Sequence, residues 1–188
     1  MEKERLETEL KIPVSDLGPV REALLRGAAA QTHPMAREVN VLFDTDDGRL
    51  RKSGSILRLR TYGELHILTF KGPVRYQGKI KERPEYEVGC DDTGRMSEIF
   101  NHLGYSEITR YEKYREAWFL DDVEVVLDHT PMGDFVEVEG PPEKLDTAAL
   151  SLGLDPGAAV RGSYISLWSD YRARHPGAKL PENMVFCE

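Results

Sequence analysis

Two glutamates and a lysine alternate near the start of the chain, in the run Leu6-Glu7-Thr8-Glu9-Leu10-Lys11-Ile12. Residues two apart in a β-strand point to the same side, so this run predicts a strand with Glu7, Glu9 and Lys11 on one face. Two carboxylates that close repel each other unless a cation lies between them. The run therefore fits a divalent-metal site, with the lysine beside it placed to bind an anionic oxygen of the same ligand. The ordinary alternative is the solvated face of an edge strand.

The same spacing of charges recurs along the chain, on segments whose other positions are mostly apolar. The pairs two residues apart are Arg58 and Arg60, Lys81 and Arg83, Glu85 and Glu87, Lys113 and Arg115, and Glu137 and Glu139. Lys71 and Asp128 each end a further predicted strand. Nearly every predicted strand thus has one charged face and one apolar face.

The chain reads as about eight antiparallel strands with helices inserted between them. The inserted helices need an apolar surface to pack on, and the apolar strand faces provide one. We therefore predict an α+β fold built on an eight-stranded antiparallel closed β-barrel with helices outside. Residues 28–37 are expected to be a connector and residues 74–80 a mobile loop. Pro84 predicts an edge or a bulge in its strand.

A barrel interior lined by lysines, arginines and carboxylates cannot be dry, because an unpaired buried ion costs several kcal/mol. It is stable if it holds water and a highly charged ligand. Arginine binds phosphate through two parallel hydrogen bonds, and carboxylates suit Mg²⁺ or Mn²⁺. A polyphosphate with its metal ions fits both sets of side chains. The alternative is a one-sided solvated sheet with surface ion pairs of about 0–1 kcal/mol each.

The composition limits the classes of partner. The chain has 188 residues and a net charge of −8, which disfavours nucleic acid and anionic membranes as general partners. Two cysteines do not make a disulfide framework, and no apolar run reaches transmembrane length. The charged start Glu2–Arg5 is unlike a secretory signal, so we expect a cytoplasmic protein. We expect a single domain over residues 1–174 and a tail over residues 175–188.

The ordered set of motifs resembles the CYTH superfamily, the triphosphate tunnel metalloenzymes. Glu7-x-Glu9-x-Lys11 resembles its ExExK signature, which is weak evidence alone. The later matches, in the order of the family, are Asn40–Thr45, Leu57–Arg60, Phe70–Pro73, Glu85-x-Glu87-Val88, Leu103–Tyr105, Lys113-x-Arg115, Leu127-Asp128, Gly133–Glu139 and Ser163-Tyr164. The resemblance spans about residues 4–170 and implies an eight-stranded tunnel that holds a triphosphate and a divalent metal.

The resemblance also implies roles for individual residues. The metal ligands would be Glu7, Glu9 and Glu137, with Glu139, Glu85, Glu87 and Asp128 as secondary acids. The phosphate-binding residues would be Lys11, Arg58, Arg60, Lys71, Lys113 and Arg115, with Lys81 and Arg83 assigned less firmly because of Pro84. Lys11, Lys71 and Arg115 would take up negative charge during the reaction. The turn between Asp128 and Glu137 is about a residue shorter than in the family, which questions their shared facing.

Three functions follow from this resemblance. The leading hypothesis is hydrolysis of a triphosphate with Mg²⁺ or Mn²⁺, because this reaction requires the fewest features of the site. The substrate would be inorganic triphosphate, thiamine triphosphate or ATP. Cyclisation of ATP to cyclic AMP and pyrophosphate, as in class IV adenylyl cyclases, is the close alternative. A non-catalytic polyphosphate or nucleotide sensor is the third. Barrels of this type can pair into a homodimer, and no residue pattern here is diagnostic of pairing. His129 is expected to be structural, and Trp118, Phe119 and Trp168 are expected in the core.

Overall fold

The computed structural model describes residues 6–187, which form nine strands and five α-helices. The strands are β1 (Leu6–Val14), β2 (Ala30–Thr45), β3 (Ile56–Tyr62), β4 (Leu65–Lys71), β5 (Arg75–Gln77), β6 (Ile80–Gly89), β7 (Tyr105–Leu120), β8 (Val123–Thr130) and β9 (Gly133–Glu139). The helices are α1 (Gly18–Arg26), α2 (Arg49–Lys52), α3 (Thr93–His102), α4 (Pro142–Ser151) and α5 (Tyr164–Arg174), with a 3₁₀ turn at Pro156–Ala158. Residues 1–5 and 188, which include the predicted charged start and the last residue of the predicted tail, lie outside the described residues.

Eight of the strands close into an antiparallel barrel, which confirms the predicted fold. The order around the sheet is β1-β9-β8-β7-β2-β3-β4-β6, and pairing of β6 with β1 closes it, while β5 adds to one side of β6. The register between β1 and β9 sets Glu9 opposite Glu139 and Lys11 opposite Glu137. Directly paired residues lie on the same face of a sheet, so these four charges share the barrel interior.

The apolar strand faces point outward, where helices cover them. Leu10 on β1, Val125 on β8 and Val138 on β9 are fully buried there against Leu24 of α1 and Leu145 of α4. Alternation along each strand therefore sends the charged residues inward. The charged side chains point inward because the helices pack against the apolar side of each strand.

One end of the barrel is closed by α5 and the C-terminal segment. Ser163 caps α5 in a capping box, and Tyr164, the first residue of the helix, packs with Tyr111 and Phe135. Met184 is buried in the same cluster and bridges to Tyr111. The segment after α5 therefore packs back on the barrel.

Two segments differ from the predictions. Residues 28–37, expected to be a connector, belong largely to β2, which begins at Ala30 because it pairs with β7 as far as Phe119. Residues 74–80, expected to be a loop, contain β5, which pairs with β6. The first segment owes its structure to a strand far away in the chain, whereas the second forms a tight local hairpin with the strand that follows it.

The irregularity predicted at Pro84 is present. The neighbours of β6 on one side change there from β4 to β5, and the Gly72 N–H donates to the Pro84 carbonyl across the gap. Proline has no N–H to donate to a neighbouring strand, so the sheet tolerates Pro84 at a position where the strand pairing is interrupted.

The predicted core aromatics fall into two groups. Trp118 and Trp168 are buried, but Phe119 is 48% exposed, so its placement in the core was wrong. Successive strand residues face opposite sides, and Trp118 takes the side that the helices cover. None of the helices formed by residues 6–187 has both the length and the apolar composition to cross a membrane.

Candidate active site inside the barrel

A cavity of about 340 Å³ lies inside the barrel, and charged side chains from strands all around it form the lining. The cationic lining residues are Lys11, Arg58, Arg60, Lys71, Lys81, Arg83, Lys113 and Arg115. The carboxylates are Glu7, Glu9, Glu85, Glu87, Glu124, Glu137 and Glu139. The structure thus brings every predicted phosphate-binding residue to one cavity, together with all the predicted acids except Asp128, which lies fully buried behind it.

Three carboxylates converge on one point of the wall. Glu7, Glu9 and Glu139 each offer an oxygen within 4.8 Å of the others. Burial, together with the negative charges of Glu7 and Glu9, raises the pKa of Glu139 to about 8. The buried Oε2 of Glu7 has no hydrogen-bond partner among the described residues. Repelling oxygens with an unused lone pair fit a divalent cation, which would bind to oxygen ligands of this kind.

Glu137 is placed differently from Glu139. It accepts hydrogen bonds from Lys11 and, at 2.5 Å, from Arg115. Glu139 is the member of this strand that joins Glu7 and Glu9, whereas the resemblance favours Glu137 for that place. A metal role for Glu137 stays a prediction.

Asp128 holds two cations of the cavity lining, although it is fully buried and does not line the cavity itself. It accepts from Lys113 at 2.9 Å, from Arg115 at 2.7 and 2.6 Å, and from the Tyr164 hydroxyl at 2.6 Å. Burial alone would raise the pKa of Asp128, but Arg115 and Lys113 lower it to about 2. Arg115 bonds to both Asp128 and Glu137, so these two carboxylates share the interior face despite the short turn between them.

Tyr164 also covers two of the lysines. Its ring lies 4.2 Å from the Lys11 Nζ and 4.6 Å from the Lys113 Nζ, so the quadrupole of the ring stabilises both cations. Burial lowers the pKa of Lys11 to about 8, with Glu9 opposing the shift. The first turn of α5 therefore helps to keep this part of the cavity cationic.

The opposite wall carries arginines with unused donors. Arg58 and Arg60 both lie within 3.4 Å of Glu87, yet the buried Nε of each arginine has no hydrogen-bond partner among the described residues. Lys71 bridges Glu7 and Glu85 at 2.7 and 2.9 Å. Both arginines line the cavity, so their guanidinium groups suit an anionic ligand there.

Lys81 and Arg83, assigned less firmly from the sequence, differ in what they contact. Lys81 lies 2.5 Å from Glu9, beside the three carboxylates. Arg83 donates hydrogen bonds to the carbonyls of Gly72 and Gly54. These bonds tie the loop that follows β4 to the loop that precedes β3. Phosphate binding by either residue stays a prediction.

The sequence reasoning passed over several polar residues of the interior. Glu38 and Asn40 on β2 are fully buried beside the cations, and Glu124 lines the cavity. The alternation Glu38-x-Asn40 continues the charged face and is the signal that marks them. His129 is exposed and bonds Asp134 on the outer face, in agreement with its predicted structural role.

Comparison with known proteins places this arrangement in a family. The CYTH domain model matches residues 5–149. A candidate adenylate cyclase of Methanocaldococcus jannaschii, MJ0240, is 30% identical over 135 residues, which cover 71% of this chain and 76% of that protein.

Solved structures share the fold at lower identity. A candidate adenylate cyclase from Vibrio parahaemolyticus superposes with a TM-score of 0.79 and 19% identity over 89% of this chain and 99% of that one. A Hippeastrum protein, described as a candidate adenylyl cyclase with a dominant triphosphatase activity, gives a TM-score of 0.61 and 15% identity over 95% of this chain and 99% of that one. At these identities the likeness concerns the fold alone.

Proposed function

Because the chain belongs to the CYTH domain family, we propose that it is a metal-dependent enzyme that hydrolyses a triphosphate inside the barrel. The observation that carries the proposal is one cavity that joins the carboxylate cluster Glu7, Glu9 and Glu139 to a surrounding set of lysines and arginines. The carboxylates suit a divalent cation, and the cations suit phosphate oxygens.

The charge balance of the lining supports a metal requirement. Among the described residues, eight cationic side chains and seven carboxylates line the cavity, and they nearly cancel. A triphosphate would add several negative charges that the lining alone leaves uncompensated. Mg²⁺ or Mn²⁺ would supply the missing positive charge and act as a Lewis acid on phosphate oxygens.

The protein side chains supply position and electrostatic stabilisation. The guanidinium groups of Arg58 and Arg60, which line the cavity, would bind phosphate oxygens on one wall. Lys11, Lys71 and Arg115 would take up the charge that develops as the phosphorus–oxygen bond breaks. Asp128 holds Arg115 in place for that task.

Cyclisation of ATP is the second candidate. The relative from Methanocaldococcus jannaschii carries the name of a candidate adenylate cyclase, and this relation favours it. Hydrolysis leads because water needs no pocket for a base or a ribose, and because the Hippeastrum protein combines the same fold with a dominant triphosphatase activity.

Product analysis separates the candidates. We would incubate the protein and Mg²⁺ or Mn²⁺ with inorganic triphosphate, thiamine triphosphate and ATP in turn, and resolve the products by ion-exchange chromatography. Free phosphate from any of these substrates supports the proposal and names the substrate. Cyclic AMP plus pyrophosphate from ATP makes the protein a cyclase instead. Binding without either product leaves a sensor.

A further inference from the structure

A buried carboxylate on β2 faces three of the cations that line the cavity. The Glu38 side chain lies 3.5 Å from the Lys113 Nζ, 3.8 Å from the Arg115 Nε and 3.9 Å from the Arg60 Nη1. β2 pairs with β3 on one side and β7 on the other, so Glu38 is positioned between the arginine of one neighbour and the two cations of the other. No other single carboxylate among the described residues lies within 4.0 Å of all three cations.

Glu38 stands behind the cations rather than beside the ligand space. It is 0% exposed and does not line the cavity, whereas Arg60, Lys113 and Arg115 do. Its hydrogen bond comes from the Asn40 amide at 2.9 Å, and its Oε2 has no hydrogen-bond partner among the described residues. Substituting Glu38 would therefore change the charge environment of the three cations without removing a contact to the ligand.

Glu38 stays ionised in this setting. Burial would raise its pKa, but Lys113, Arg115 and Arg60 together hold it well below the usual range of a glutamate. An ionised carboxylate attracts the three cationic heads toward itself and cancels part of their positive field in the cavity.

The geometry points to Glu38 as a positioning residue that holds Arg60, Lys113 and Arg115 in place for phosphate and limits how tightly the tunnel retains an anionic product. This inference rests on the proposed function. Pyrophosphate is the product to follow, because both hydrolysis of inorganic triphosphate and cyclisation of ATP release it.

Two variants separate the charge of Glu38 from its reach. Glu38→Gln keeps the shape and an acceptor for Asn40 but removes the charge, so Mg²⁺–pyrophosphate should bind about tenfold more tightly and kcat should fall. Glu38→Asp keeps the charge but draws the carboxylate back from the cations. Its pyrophosphate Kd should stay within about threefold of the wild-type value, while its kcat falls because the cations are held less well. Glu112→Gln is the matched control, since Glu112 is a buried carboxylate beside Lys113 that pairs with Arg37 on the outer face.

The experiment is calorimetric titration of each variant with pyrophosphate and Mg²⁺, together with kcat and KM for inorganic triphosphate. An unchanged or weaker pyrophosphate Kd in a folded Glu38→Gln protein would overturn the inference. If Glu38→Gln does not fold, wild-type kcat in Glu38→Asp would overturn it. A wild-type protein that neither binds nor turns over triphosphate would overturn the proposed function and this inference with it. Normal wild-type turnover with unaffected Glu38 variants would overturn this inference alone.

Discussion

Replacing Asp128 with asparagine tests how the buried cations are held. Asp128 is 0% exposed and accepts hydrogen bonds from Lys113, Arg115 and Tyr164. The change leaves two buried cations without a main counter-ion, and breaking a buried pair in this way costs about 3–5 kcal/mol. For a domain of this size, each kcal/mol lowers Tm by about 2–4 °C, so we expect Asp128→Asn to lower Tm by about 6–20 °C.

The assay is thermal unfolding followed by circular dichroism at pH 7. Asp134→Asn is the matched control, because Asp134 lies on the same hairpin and pairs with His129, which is 54% exposed. A surface pair of this kind contributes about 0–1 kcal/mol, so the control should lose at most a few degrees. Equal Tm values for Asp128→Asn and the wild type would refute the account of the buried network.

The pH dependence of the Asp128 effect has a definite sign. The pKa of Asp128 in the folded protein is about 2, below the value of about 3.9 for an unfolded aspartate. The carboxylate therefore contributes stability above about pH 4 and loses that contribution as pH falls toward 2. Urea unfolding at pH 5, 3 and 2 should show the gap between wild type and Asp128→Asn closing over this range. A gap that widens on acidification would contradict the assignment.

Three further substitutions test the site and the fold. Glu7→Gln should lower metal-dependent turnover by roughly 100-fold at unchanged Tm. The control Glu82→Gln, on the adjacent strand and pointing outward, should keep the wild-type turnover, and equal rates in the two variants would remove Glu7 from the metal site. Arg60→Ala should raise KM for inorganic triphosphate by about 10–100-fold through lost charged hydrogen bonds, with exposed Arg49→Ala as the control, and an unaltered KM and kcat would contradict a phosphate role. Asp44→Ala removes the acceptor of three backbone N–H groups around α2 and should cost about 1–3 kcal/mol in urea unfolding without changing kcat; a loss of kcat at full stability would count against this structural role.

Triphosphate itself should stabilise the protein. In the presence of Mg²⁺, millimolar inorganic triphosphate should raise Tm, since a ligand that binds only the folded state shifts the equilibrium by mass action. Mg²⁺ with an equal concentration of sulfate is the control. The absence of any shift would favour a sheet whose charged face is simply solvated.

Much of the barrel follows from alternation in the sequence. Each charged pair two residues apart, such as Arg58 and Arg60, needs only the period of a strand to share a face. The direction of that face follows from the helices between the strands, which must bury their apolar sides. The predicted interior set therefore contained all eight cationic residues between positions 6 and 187 that line the cavity.

The register between distant strands could not be read from the sequence. The gathering of Glu139, rather than Glu137, with Glu7 and Glu9 depends on the pairing of β1 with β9, which no local pattern specifies. The length of β2 likewise depends on β7, a strand far away in the chain, whereas β5 is a short local hairpin partner of β6 that was read as a loop. The role of Glu38 was missed, although its alternation with Asn40 marks the interior face, because its cationic partners come from two other strands.

Turnover of inorganic triphosphate, followed by phosphorus NMR with Mg²⁺ and then with excess chelator, tests the central claim most directly. The account predicts conversion to pyrophosphate and phosphate that stops when the chelator is added and is absent in Glu7→Gln. Intact triphosphate after prolonged incubation with Mg²⁺ or Mn²⁺, or hydrolysis that continues unchanged after chelation, would contradict metal-dependent hydrolysis inside the barrel.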